Sequence, residues 1–317
     1  MNPDQFFSAS RVVIVAGKGG VGKTTVTAST ARAAALCGFR PLIIEVEAGS
    51  GLAAVFGREP LTYDEVELDP GADGRAAIRG RTITPDDALT EYLHAHGLAR
   101  ISRRLVASGA LDVVATAAPG IRDILVLGKV KQLERAGAAD LIILDAPAAG
   151  HAVTFLLAAR GLVDAARSGP IATQAREVLE MLTDSERCRV TLVTLAEETP
   201  VNEVIDTAFH LEDRVGVALG PVVVNGLYEE LPGLSVAPGQ AAVRAGRRLG
   251  RAATSALAEA AGFRRDRIAL QEEQVDRLAA RLPLPQLHLP YVFTPDIDAD
   301  DVDRLARSLL DGIGRLE

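Results

Sequence analysis

The sequence predicts an α/β fold: a doubly wound, mostly parallel sheet with an inserted helical subdomain, in one domain spanning 1–317. Three observations lead there. A β-branched run, Val12 to Val15, meets a glycine-rich turn that opens a small-residue stretch of helical character. Further short apolar runs lead into Glu47, Asp145 and Asn225, as buried parallel strands do where their carboxyl ends face a ligand crevice. Long stretches that read as helix separate these runs.

The first element carries the chemistry. Gly17-Lys18-Gly19-Gly20-Val21-Gly22-Lys23-Thr24 has the G-x-x-x-x-G-K-[ST] spacing of a phosphate-binding loop, between a strand and a helix. Its glycines let consecutive backbone N–H groups turn inward as an anion nest, and the helix N-terminus adds positive dipole. Lys23 can reach β- and γ-phosphates, Thr24 can ligate Mg²⁺, and Thr25 can cap a further phosphate oxygen. A second lysine, Lys18, makes this the deviant form of the loop. The chain holds only four lysines, at 18, 23, 129 and 131, against thirty arginines, and half of them lie in this turn. A compact ammonium fits between phosphates where a planar guanidinium does not. The alternative for Lys18 is a solvated loop charge.

Cys37-Gly38-Phe39-Arg40-Pro41 ends the loop helix, and Leu42 to Val46 reads as a second buried strand. Glu47 follows, placed to orient an attacking water or else to sit as a solvated strand-end charge. Residues 58–74, rich in charge and glycine, read as a loop or excursion. Residues 76–83 read as a strand whose two arginines suggest a sheet edge. Thr84, Pro85, Asp86 and Asp87 start a helix in the order N-cap, N1, acidic first turn. Helix then runs to about 135 with breaks near 108–109 and 118–120, and again over 152–187 with a break at 168–170. These two stretches form the expected helical subdomain over the crevice. His94 and His96 are two apart, on different helix faces, which disfavours a metal pair.

Residues 139–145 form the clearest later strand, running apolar residues straight into Asp145, a carboxylate placed to hold Mg²⁺ through water. The small-residue turn after it ends in Gly150 and His151; the histidine either serves the γ-phosphate site or bonds to backbone. Strands follow at 189–195 and 220–225. Asn225 has donors and acceptors suited to an adenine edge, or is a turn asparagine. After a loop at 226–240 and a helical stretch to about 280, a last strand covers 282–291 and a terminal helix 298–316.

Composition narrows the function. A net charge of −8 without a long basic run disfavours nucleic-acid binding, and few aromatics disfavour single-strand stacking. Two cysteines, Cys37 and Cys188, make neither a disulfide framework nor a zinc pair. The N-terminus lacks the features of a signal peptide and no apolar run is long enough to span a membrane, so the cytoplasm is the expected compartment.

With these residues in place, the chain resembles the ArsA/Get family of ATPases, a branch of the MinD-like P-loop superfamily. Residues 17–25 match its loop GKGGVGKTT, and Asp145 with Gly150-His151 resembles its second switch. Asn225 matches its adenine-contacting asparagine, and Pro290 and Phe293 its adenine loop. PGIRDILVLGKVKQL and LILDAPAAGHAVTFL look like the short bacterial members known as anion-transporting ATPases. The resemblance implies a P-loop NTPase fold of the SIMIBI type, binding of ATP and Mg²⁺, and a homodimer or a heterodimer with a paralogous ATPase. It implies that Lys18 crosses the dimer interface to the partner's nucleotide, and that Gly17, Gly19, Gly20, Val21, Gly22, Lys23, Thr24 and Thr25 cradle the phosphates. Two departures stand out. Glu47 replaces the family's water-activating aspartate, and one extra methylene displaces the carboxylate enough to slow hydrolysis. Arsenite-binding cysteines, a zinc C-x-x-C and a methionine-rich client groove have no counterpart; only Met1 and Met181 are present. A slow Mg-ATPase switch with an unidentified client is the leading expectation, and a nucleotide-gated scaffold of low turnover the alternative. A positioning ATPase with a basic membrane helix is disfavoured by the acidic 298–316 helix.

Overall fold

The strands and helices are those of a computed structural model that describes residues 1–46, 49, 51–72, 74–95, 120–165 and 168–316. One sheet holds β1 (Val12–Gly17), β2 (Pro41–Glu45), β3 (Val66–Asp69), β4 (Ile78–Thr82), β5 (Leu141–Ala148), β6 (Cys188–Leu195), β7 (Ala218–Leu219), β8 (Val222–Leu227) and β9 (Gln286–Pro290). Their order is β3-β4-β2-β5-β1-β6-β8-β9, with β7 beside β6. Every pairing is parallel except β3 with β4. The chain leaves β1 to build β2 on one side and later places β6 on the other. The loop after β1 therefore lies at a switch point, where the carboxyl ends of strands open a crevice.

Strand side chains alternate between two cores, as the pleat requires. Val12, Ile14, Ile142 and Leu144 face one side, where the Ile121–Arg135, Ala149–Ala165, Pro170–Thr183 and Glu198–His210 helices cover the sheet. Val15, Ile43 and Ile143 face the other, covered by the Lys23–Leu36 and Ala299–Gly314 helices. The first of these is alanine-rich, so it lies close against the sheet and carries the loop rigidly. Asp298 caps the terminal helix by accepting from the Asp300 and Asp301 backbone N–H groups.

Two expectations are corrected. Residues 58–74 are not only loop, because β3 lies within them. The strand at 76–83 is not the sheet edge, because β3 pairs outside β4. Its two arginines are accommodated locally: Arg79 pairs with Glu65 and donates to the Ala138 carbonyl, while buried Arg81 lies 4.4 Å over the Tyr63 ring. The helix begun by Thr84 forms as Pro85–Ala95, the Thr84 hydroxyl accepting from the Asp87 N–H at 3.2 Å. The break at 168–170 separates two helices. His96 and the breaks expected near 108–109 and 118–119 fall outside the described residues, as do Glu47, Ala48 and Ser50. Among the described residues, no helix is long and apolar enough to cross a membrane.

The loop helix is anchored by a buried cation. Arg32, 2% exposed, pairs with Asp69 at 2.7 Å and Asp303 at 2.8 Å, tying the Lys23–Leu36 helix to β3 and to the terminal helix. Truncating one member of such a buried cluster strands the other charges and costs about 3–5 kcal/mol. Arg32→Ala is expected to lower stability by that amount in urea titration.

Candidate active site

Close packing fixes the loop. Gly17 ends β1 directly against β6, and a Cβ there would overlap the Val193 carbonyl. Gly20 and Gly22 adopt φ of +86° and +89°, a left-handed conformation that glycine adopts at little cost. Gly22 is also the N-cap of the Lys23–Leu36 helix and supplies no side-chain cap, so the turn presents a helix N-terminus of the kind that binds anions. Val21 is buried beneath the turn, while Lys18, Gly19 and Gly20 are exposed. Asn225 braces the loop: its amide donates to the Val21 carbonyl at 3.0 Å, and a Cβ on Gly22 would overlap it.

Both loop lysines have partners within the chain. Lys23 Nζ donates to the Lys18 carbonyl at 3.2 Å, folding back over the turn. Lys18 Nζ reaches Glu203 Oε1 of the Glu198–His210 helix at 2.7 Å. With both side chains over 40% exposed, that pair contributes little to stability, about 0–1 kcal/mol.

Beside the loop, Asp145 is buried in β5 and accepts from Thr24 Oγ1 at 2.9 Å and Thr27 Oγ1 at 3.4 Å. Burial pushes its carboxyl up to about 6, against the opposing pull of the Thr24 and Thr27 hydroxyls and the Lys23 charge; Glu45 adds to the rise. Glu45 stands opposite Asp145 in the β2–β5 register, 3% exposed, and accepts from Thr82 Oγ1 at 3.0 Å. Two carboxylates and three threonine hydroxyls thus meet at the carboxyl ends of β2 and β5. A desolvated carboxylate beside a hydroxyl is the donor set of a hard cation that takes its remaining ligands from phosphate and water. The residues present fit Mg²⁺ at Thr24 and Asp145. Among the described residues, no group of three His, Cys, Asp or Glu is placed to hold a metal by itself.

Pro290 and Phe293 belong to a cluster at the ends of β8 and β9. Tyr291 N donates to the Leu227 carbonyl at 2.8 Å. Tyr228, Tyr291 and Phe293 pack with ring centroids 4.7–5.6 Å apart, and Arg264 lies 5.3 Å over Phe293. Gln271 bridges this end of β8 to the Arg251–Arg281 helix through the Tyr228 N–H and the Gly226 carbonyl. β8 carries Asn225 at the loop and leads directly to Tyr228 in the aromatic cluster.

The structure therefore gathers Lys23, Thr24, Asp145 and Asn225 around one turn, and sets Pro290 and Phe293 in the aromatic cluster further along. Glu47 lies outside the described residues, as does the side chain of His151. Sequence reasoning missed Glu45, Thr27 and Glu203. The signal for Glu45 was a charge inside a buried parallel strand, two residues before Glu47. Thr27 could be found one helical turn after Thr24, whereas nothing in sequence spacing pairs Lys18 with a residue 185 positions away. Cys37 and Cys188 are free thiols; burial pushes Cys188 up to about 12, which makes it inert.

Residues 10–165 match the family described as anion-transporting ATPase. ATPase BagA of Mycobacterium tuberculosis is 33% identical over 225 residues, 69% of this chain and 65% of that protein. A Halobacterium salinarum protein whose name ties it to an arsenical pump-driving ATPase is 24% identical over 320 residues, 96% of this chain and 45% of its own. ATPase get3 of Schizosaccharomyces japonicus is 29% identical over 144 residues, 45% of this chain and 42% of its own. The chain spans 65% of the mycobacterial relative and under half of the other two. The family match contains the loop and Asp145, while Asn225, Pro290 and Phe293 lie beyond it.

Proposed function

Over residues 10–165 the chain fits the anion-transporting ATPase, or ArsA/Get, family, and on that premise we propose that it is a Mg²⁺-dependent ATPase whose nucleotide state switches its conformation. The observation that carries this reading is the buried Asp145 carboxylate hydrogen-bonded to Thr24 of an uncapped, glycine-rich helix N-terminus. Mg²⁺ bound there supplies charge neutralisation to the β- and γ-phosphates of ATP.

The protein's own groups divide the remaining work. Loop N–H groups orient the phosphates, and Lys23 leaves the Lys18 carbonyl to stabilise charge on the transferred group. Thr24 and Asp145 would hold the cation beside the phosphates. Glu47 positions the attacking water. Asn225 keeps the loop in register and presents its amide to the adenine, with Pro290 and Phe293 bordering the base. Lys18 exchanges Glu203 for the nucleotide of a partner subunit, either a second copy or a paralogue.

Asp145 is followed within four residues by the Ala149–Ala165 helix, which packs on Pro170–Thr183 and Ile121–Arg135. That continuity supports a subdomain, 84–135 plus 152–187, that opens and closes as the switch turns respond to the γ-phosphate. The client it serves is a separate protein or small molecule.

One feature favours a second reading, a scaffold that binds ATP and turns it over little: Glu47 where the resembled family has aspartate. Light scattering with ATP and Mg²⁺, alongside phosphate release, separates the two. The switch reading expects dimers that form with ATP and dissolve as phosphate is released. Dimers that persist without release support the scaffold.

A further inference from the structure

The chain's other two lysines also lie together. Lys129 and Lys131, in the Ile121–Arg135 helix, line a cavity of about 250 Å³ shared with the Pro85–Ala95 and Pro170–Thr183 helices. Their side chains are 9% and 6% exposed. A chain that uses arginine nearly everywhere thus buries half its ammonium groups here, where a guanidinium would not fit as compactly.

The cavity is built to handle negative charge. Lys129 pairs with Glu91, which also accepts from the Tyr63 hydroxyl. Lys131 pairs with Glu177 and donates to Gln174 Oε1 at 3.0 Å. Gln174 reaches that position because Gly128 leaves room; a Cβ there would overlap its amide. Arg135, at the mouth, shares Glu177 at 3.5 Å. The partners differ in exposure. Both ammonium groups are walled in, whereas Glu91 and Glu177 are each 34% exposed. The carboxylates can rotate to water at low cost, but the ammonium groups cannot follow them without losing their solvation.

We propose that this cavity is a binding site for a small dicarboxylate, whose two carboxylates take the places of those of Glu91 and Glu177 on Lys129 and Lys131. The carboxylates now seated there show that the ammonium groups accept this geometry. At about 250 Å³ the cavity lies below the roughly 300–1,000 Å³ of drug-sized ligand pockets, which limits it to a molecule of a few carbons. The site lies in the helices proposed to open and close but shares no residue with the nucleotide site, so succinate binding and phosphate release fail separately.

Isothermal titration of the full chain with succinate, at fixed pH and constant ionic strength, tests it, with acetate and chloride as controls. The expected result is saturable 1:1 binding of succinate, at least tenfold weaker acetate binding, and no change in the Lys23→Ala variant. Lys131→Met should weaken succinate at least tenfold. Glu177→Gln, a change at a partly exposed position, removes a competing carboxylate and should tighten it several-fold. Circular dichroism confirms that each variant is folded. Absence of saturable binding to the folded wild type overturns the proposal. So does succinate binding that Lys131→Met and Glu177→Gln both leave unchanged, or that is lost in Lys23→Ala.

Discussion

Lys23→Ala is expected to lose phosphate release from Mg-ATP by about 10³-fold or more, the scale of removing a preorganised charge at developing phosphate charge. The reason lies in the loop. Lys23 is the first residue of the Lys23–Leu36 helix, its ammonium close enough to Asp145 to influence that carboxyl and bonded to the Lys18 carbonyl. Its removal takes away the cation that faces both the phosphates and the Asp145 carboxylate. Because the side chain is only partly buried, stability should change far less than activity. Full turnover in a folded Lys23→Ala variant contradicts the assignment of the loop.

Asp145→Asn is expected to abolish the Mg²⁺ dependence of nucleotide binding and, at the same time, to stabilise the ligand-free protein. A carboxyl of this kind titrates at about 3.9 in the unfolded chain but at about 6 in the fold, because burial opposes its charge. The folded state therefore binds the proton more tightly. The stability that this group contributes is fully present below pH 4 and is lost as pH rises through 6. At neutral pH the ionised group costs up to about 3 kcal/mol, taken as two pKa units. Asparagine keeps the shape without the charge, so thermal melts of Asp145→Asn should lose this component of the pH dependence and show a higher midpoint at pH 7.5. Mg²⁺ compensates the same charge in the wild type, so its affinity should fall as pH drops below about 6. A melting temperature at pH 7.5 below that of the wild type would contradict this reading of the buried carboxylate.

Much of this was legible in the sequence because the governing effects are local. The loop glycines announce their own conformation, and the apolar runs before Asp145 and Asn225 can be buried only as parallel strands. The N-cap at Thr84 and the break at 168–170 follow from side chains within a few residues of the backbone they stop. What escaped depends on packing between distant segments. The edge position of β3 is decided by an antiparallel return that its charged residues, Glu67 and Asp69, do not signal. The arginines of β4 misled because Arg81 finds a ring, Tyr63, and Arg79 finds Glu65, neither of them visible as a spacing. In the site, Lys23, Thr24 and Asp145 converge as the motif requires, and Asn225 also reaches the loop, with its amide on the Val21 carbonyl. Glu45, which the sheet register places opposite Asp145, was passed over, while Glu47 lies outside the described residues.

On the proposed function this loop and its carboxylates hydrolyse ATP. Phosphate release from the purified protein with Mg-ATP, measured beside Glu47→Ala and Glu47→Asp, tests it most directly. Release from the wild type is expected to be slow, to need Mg²⁺, to be lost in Glu47→Ala, and to be kept or raised in Glu47→Asp, which restores the shorter carboxylate. Tight ATP binding with no release from the wild type, or release that Glu47→Ala leaves intact, would contradict it.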